Sequence, residues 1–179
     1  LPAIKMAETS AYLFQNYVLY YTLPLQLEFY TLSIIKPFSQ LAAAYFGDHK
    51  GNFIMTKRLP SGLLESRIIN VDKEVTALKT YNNFNSVVDN KSENKVYFDP
   101  RTRPWYIGTK EKGSSYWTDV YSFYSDKELG ITAAYPVFNN DNQFYGVFGV
   151  DIRIQKLEEF LDLNKIFPNS SILILDQLN

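Results

Sequence analysis

Ten residues hold most of the chemistry this sequence offers: Tyr97-Phe98-Asp99-Pro100-Arg101-Thr102-Arg103-Pro104-Trp105-Tyr106. An arginine fixed at the start of a short helix presents a planar fork of donors. That fork matches a carboxylate through two parallel hydrogen bonds. The neighbouring indole and phenol supply flat walls with polar edges for orientation. The same residues also suit a plain structural role, with Asp99-Pro100 capping a helix, the aromatic rings in the core and the arginines at the surface.

A second stretch, Gly146-Val147-Phe148-Gly149-Val150-Asp151-Ile152, is an apolar strand carrying a single acid. Strand side chains alternate between faces, so Phe148, Val150 and Ile152 share one face while Val147 and Asp151 share the other. A buried Asp151 needs a partner. A ligand ammonium is one candidate; an arginine such as Arg103 or the cap of a following helix is another.

Composition narrows the field further. Among 179 residues there is no cysteine, which removes disulfides, thiolate catalysis and cysteine-based zinc or iron–sulfur sites. His49 is the one histidine and sits in the turn Gly47-Asp48-His49-Lys50-Gly51, where exposure to solvent is expected. No metal site or cofactor is expected. Asp99, Asp119, Asp126 and Glu128 are not spaced in a way that selects a catalytic pair of carboxylates, and no glycine-rich phosphate loop occurs. Lys and Arg total 18 against 19 Asp and Glu, a balance that offers no basic footprint for nucleic acid. Aromatic residues make up 16% of the chain, material for either a core or a binding wall.

These residues must be positioned by a recognisable order of elements. Residues 2 to about 36 read as helix, with Pro24 kinking or dividing it and Pro37 stopping it. The apolar stretch from Ala11 to Ile35 is interrupted by Gln15, Asn16, Pro24, Gln26 and Glu28, which argues against a membrane span. Strands are expected at 41–46, 52–58, 63–71 and 76–82, and a surface loop over the polar segment 82–94. A short helix should run from Pro100 to about Lys110 and end near Gly113. Strands follow at 116–123, 130–138 and 144–152, then a helix over 156–163 and a strand over 171–176. Hairpin-joined strands with segregated helices define the α+β class.

The segments Phe98–Tyr106, Tyr116-Trp117-Thr118-Asp119-Val120-Tyr121 and Gly146–Ile152 together resemble the signature of double-Cache sensor domains. That resemblance spans roughly residues 40 to 176. It implies a long N-terminal helix followed by a PAS-like antiparallel sheet with flanking short helices. Residues 1–39 would be the signalling helix, kinked near Pro24, residues 40–165 the membrane-distal ligand-binding lobe, and residues 166–179 the start of a second lobe. At 179 residues the expectation is one lobe, belonging either to a longer receptor or to a single-lobe relative.

The function implied is non-enzymatic: an extracytoplasmic sensor of a prokaryotic inner-membrane receptor, with a homodimer contact offered by its helix, binding a small amino acid or related carboxylate. The alternative is a structural or dimerisation module without a ligand. By the same resemblance Arg103 and Trp105 hold a ligand carboxylate, Tyr106 and Asp151 hold the amino group, and Tyr121 lines the pocket. Phe98 stands where the family pattern has a tyrosine and Phe123 where amino-acid binders often carry an acid. Both changes make the pocket more apolar.

Overall fold

The computed structural model describes residues 2–20, 23–96, 98–139 and 141–156. The expected helix over 156–163 lies outside these residues beyond its first position, and the expected strand over 171–176 lies outside them entirely. Two helices open the chain, α1 (Pro2–Gln15) and α2 (Pro24–Ile35). They are the divided form of the helix expected over residues 2 to about 36, with the break lying ahead of Pro24. The chain leaves the helix at Gln15, well before Pro24, and Tyr17 takes a left-handed φ of 57°. Gln26 locks the connection by accepting from the Tyr20 amide at 2.9 Å and donating to the Val18 carbonyl at 2.9 Å. Pro24 then sits at the first turn of α2, where its missing N–H costs nothing.

Among the described residues nine antiparallel strands follow: β1 (Leu41–Asp48), β2 (Phe53–Arg58), β3 (Leu64–Asn70), β4 (Val75–Tyr81), β5 (Val87–Glu93), β6 (Tyr116–Trp117), β7 (Tyr121–Ser122), β8 (Leu129–Phe138) and β9 (Phe144–Arg153). They form one sheet in the order β5-β4-β3-β2-β1-β9-β8-β6, with β7 also paired to β8. This is the α+β, PAS-like arrangement expected from the element order.

The expected loop at 82–94 is corrected by the structure: Val87–Glu93 is an edge strand paired with β4. All seven of its residues are exposed. A strand with no buried face has no hydrophobic alternation to betray it. The turn before it uses Asn82, whose side chain accepts from the amides of Phe84 and Ser86, and Asn85 at a φ of 61°. The expected single strand over 116–123 is likewise two short pieces, because the chain leaves the ladder at Asp119-Val120, just after the Thr118 amide bonds the Thr132 carbonyl at 3.0 Å.

One face of the sheet is covered by the two N-terminal helices. α1 lies on β8 and β9, and α2 on β1, β2 and β3. The stripe Ala3, Ala7, Ala11 and Phe14 recurs at helical spacing and is buried, with Phe14 stacked on Phe46 at 4.6 Å. Polar contacts fix α2 in place. Thr31 meets Thr56 at 2.8 Å, and Tyr30 meets Ser10 of α1 at 2.8 Å. Glu28, fully buried, accepts from Ser66, from Lys79 at 2.7 Å and from Tyr81 at 2.7 Å. No helix among the described residues is long and apolar enough to cross a membrane.

The opposite face carries α3 (Pro104–Lys112) and the loops on either side of it. The expected helix from Pro100 is divided. Asp99 caps a 3-10 turn over Pro100–Thr102, accepting from the Arg101 amide at 2.9 Å. Arg103 then extends, at φ −92° and ψ 147°, because the proline that follows it disfavours helical backbone. α3 starts at Pro104 and ends at Gly113, whose left-handed φ of 66° suits a residue without a side chain.

Candidate ligand cleft

Asp151 is set by β9 on the face away from the helices. The alternation read from the sequence holds: Phe148, Val150 and Ile152 pack beneath the helices, and Val147 packs on the far side. Asp151 is 6% exposed. Its Oδ1 accepts from the Tyr45 hydroxyl at 2.5 Å and from the Thr132 hydroxyl at 2.6 Å. Thr132 gives its proton to Asp151, so the Tyr121 hydroxyl, 2.7 Å from Thr132 Oγ1, donates to it and extends the chain of hydroxyls outward. Strand register places these groups side by side, since Asp151 is paired with Ala43 of β1 and Thr132 of β8.

Burial pushes the Asp151 acid up to about 7, opposed by the bonds from Thr132 and Tyr45. The same burial raises the Tyr45 and Tyr121 hydroxyls, and the Asp151 charge raises them further. All of these groups answer to neutral hydroxyls; among the described residues no cation pairs with Asp151.

Trp105, on the first turn of α3, is 3% exposed and lies 4.7 Å from the Tyr45 ring. Phe98 packs on Phe53 at 4.7 Å and on Tyr124 at 5.1 Å. Phe123 meets Tyr121 edge to face at 5.4 Å. Arg103, half-buried, lies with its guanidinium 5.6 Å from the centre of the Tyr124 ring. No carboxylate pairs with it among the described residues.

Arg103, Trp105, Tyr121, Asp151, Phe98 and Phe123 thus line one cleft, which narrows to about 30 Å³. A direct contact between Arg103 and Asp151, one of the alternatives left open by the sequence, does not form. Both line the same space, which has room for about one water.

Tyr106 is placed elsewhere. Its hydroxyl donates to the Asp48 carbonyl at 3.3 Å, its ring packs edge-on to Trp105, and it borders a separate groove with His49 and Lys110. Burial pushes its hydroxyl up to about 12. Successive helical side chains diverge by roughly 100°, so Trp105 and Tyr106 cannot both face the cleft. His49 is exposed, as expected of a turn residue.

Six lining residues escaped the sequence reading: Tyr45, Phe53, Met55, Arg67, Tyr124 and Ser125. Tyr45 was readable in retrospect as the one hydroxyl in the apolar run of β1. The others carry no local signal.

Among known families, the model for the methyl-accepting chemotaxis protein-like, first PDC sensor domain matches residues 66–159. The ligand-binding domain of the Pseudomonas fluorescens chemoreceptor CtaA has a similar fold. Its complex with L-serine aligns with a TM-score of 0.58 and 22% identity, over 91% of this chain and 55% of that one. Its complex with L-valine aligns at 0.56 and 22%, over 89% and 55%. A citrate (Re)-synthase from Syntrophus aciditrophicus is 33% identical over 86 residues, which are 47% of this chain and 14% of that protein. The chain therefore spans about half the length of the solved relatives and a small part of the enzyme.

Proposed function

The chain belongs to the family of first PDC sensor domains of methyl-accepting chemotaxis protein-like receptors, and from that premise we propose how its cleft works. It is a non-enzymatic, extracytoplasmic sensing unit of a membrane-anchored receptor, and it binds a small amino acid or related carboxylate. Arg103 receives the carboxylate, Trp105 and Tyr121 wall the ligand, Asp151 receives the ammonium, and Phe98 and Phe123 enclose its apolar part. The observation that carries this reading is one cleft holding a guanidinium without a carboxylate partner and a buried carboxyl held only by hydroxyls. An amino acid supplies the missing charge to each. The L-serine and L-valine complexes of CtaA support the same ligand class.

A cleft of about 30 Å³ must open to admit such a ligand. Arg103 on the turn before α3 and the segment from Tyr121 to Ser125 move outward on entry and close over the bound molecule. The sheet then shifts under α1 and α2, which carry the change towards the membrane. Ligand binding biases this change only by preferring one of two states. The helical face also offers a contact for a second copy.

Calorimetry against a panel of amino acids and carboxylates tests the assignment. Binding that disappears in a folded Arg103→Ala variant supports it. Unchanged affinity in that variant removes Arg103 as the anchor. The narrowness of the cleft favours one other reading, a structural module, and that reading predicts no binding across the panel.

A further inference from the structure

The cleft is lined by a second arginine. Arg67 lies on β3, paired across the ladder with Met55 of β2, so it faces the cleft from the side opposite β9. Its side chain is 20% exposed. Its nearest acid is Glu65, whose Oε1 stands 3.9 Å from Arg67 Nη2, beyond hydrogen-bonding distance. The same Glu65 oxygen is 3.5 Å from Lys57 Nζ. One carboxylate therefore serves two largely buried cations. Arg67 Nε is buried and has no hydrogen-bond partner among the described residues.

A buried guanidinium with an unmet donor is costly to keep. It is kept here beside a cleft whose far wall carries Arg103 and Asp151. β9, β1, β2 and β3 are successive strands of the sheet. At strand spacing the backbones under Asp151 and Arg67 are roughly 14 Å apart, a gap that their side chains narrow from both ends. Met55 and Phe53 lie along the way, an apolar stretch suited to methylene groups.

We propose that Arg67 receives a second carboxylate of the ligand, so that the cleft selects dicarboxylic ligands, acidic amino acids foremost. This rests on the reading of Arg103 as the anchor of the first carboxylate. A ligand with a plain alkyl side chain leaves the Arg67 donor unmet, whereas one ending in a carboxylate meets it with a charge-assisted pair.

The test is calorimetry on the full chain with L-glutamate, glutarate and L-norvaline, in the wild type and in the Arg67→Gln, Arg67→Lys and Arg103→Ala variants. L-norvaline has the carbon skeleton of glutamate without the second carboxylate. L-glutamate should bind the wild type roughly tenfold to a hundredfold more tightly than L-norvaline. Arg67→Gln should erase that margin while leaving L-norvaline within about twofold. Arg67→Lys, which keeps the charge and loses the fork, should fall between and serves if the glutamine variant does not fold. Equal wild-type affinities for the two amino acids, equal losses for both in Arg67→Gln, or binding of monocarboxylic amino acids alone would overturn the proposal. Loss of the margin in Arg67→Gln with full binding retained in Arg103→Ala would instead defeat the anchor reading and leave Arg67 as the recognition residue.

Discussion

Acidification should weaken an ammonium-bearing ligand at this cleft, and the size of the effect follows from Asp151. Burial holds its acid near 7, and the ligand ammonium requires the ionised form. At about pH 8 roughly nine in ten Asp151 side chains are ionised, and at about pH 5 roughly one in a hundred. Apparent affinity falls with the competent fraction, so the dissociation constant of an amino acid rises on the order of a hundredfold across this range, or about 3 kcal/mol. The surrounding groups do not blur the profile. Tyr45 and Tyr121 are pushed upward and keep their protons throughout. The Asp126 charge pushes Asp151 up and the Arg153 charge pulls it down. The assay is titration calorimetry at several pH values in two buffers of different ionisation enthalpy, which also reads the proton released as the ammonium arrives. Asp151→Asn should flatten the profile, and a dicarboxylate without an amine should not show the same slope. A wild-type affinity that changes less than about threefold between these pH values, or an unchanged slope in Asp151→Asn, would refute the reasoning.

The same group sets the stability of the unliganded chain. Its folded acid lies above the unfolded value, so its contribution is full below about pH 4 and is lost as pH rises through about 7; at about pH 8, Asp151→Asn should raise stability by roughly 2–4 kcal/mol, with a higher melting midpoint as the readout. Gly149→Ala would place a methyl group against the Tyr45 ring. The variant should lose roughly 1–3 kcal/mol in denaturant melts and, by displacing the Tyr45 hydroxyl from Asp151, should also weaken ligand binding. Glu28→Ala strands Lys79 at the buried seam of α2 and should cost roughly 3–5 kcal/mol, with Glu28→Gln costing less; urea titrations that rank the two in the other order would contradict the account.

Legibility differed by element for physical reasons. β1, β2, β8 and β9 are buried on at least one face, and their apolar pattern was plain in the sequence. β5 buries nothing and carries no such pattern. The helix boundary at Gln15 rests on a tertiary lock from Gln26, which local propensity does not encode. In the cleft, Asp151 stood out as the one acid in an apolar strand, and alternation alone gave its face. Phe98, Arg103, Trp105 and Tyr121 were found as parts of a pattern. Arg67 and Tyr124 were not, because what brings them to the same cleft as Asp151 is the folding together of segments far apart in the chain. Tyr106 borders a different groove from Trp105, because adjacency in sequence is divergence on a helix.

The exposed edge at β5 bears on how this protein behaves in concentrated solution. An unpaired strand edge is a template on which another chain can grow. Here the residues on it include Asp89, Lys91 and Glu93, with Lys91 held 2.7 Å from Asp89. A second copy arriving edge to edge must strip water from these charges before any ladder forms. The sheet therefore ends where it does by repelling its own continuation, and the edge would become a seed for fibres if Asp89 and Lys91 were replaced by β-branched apolar residues.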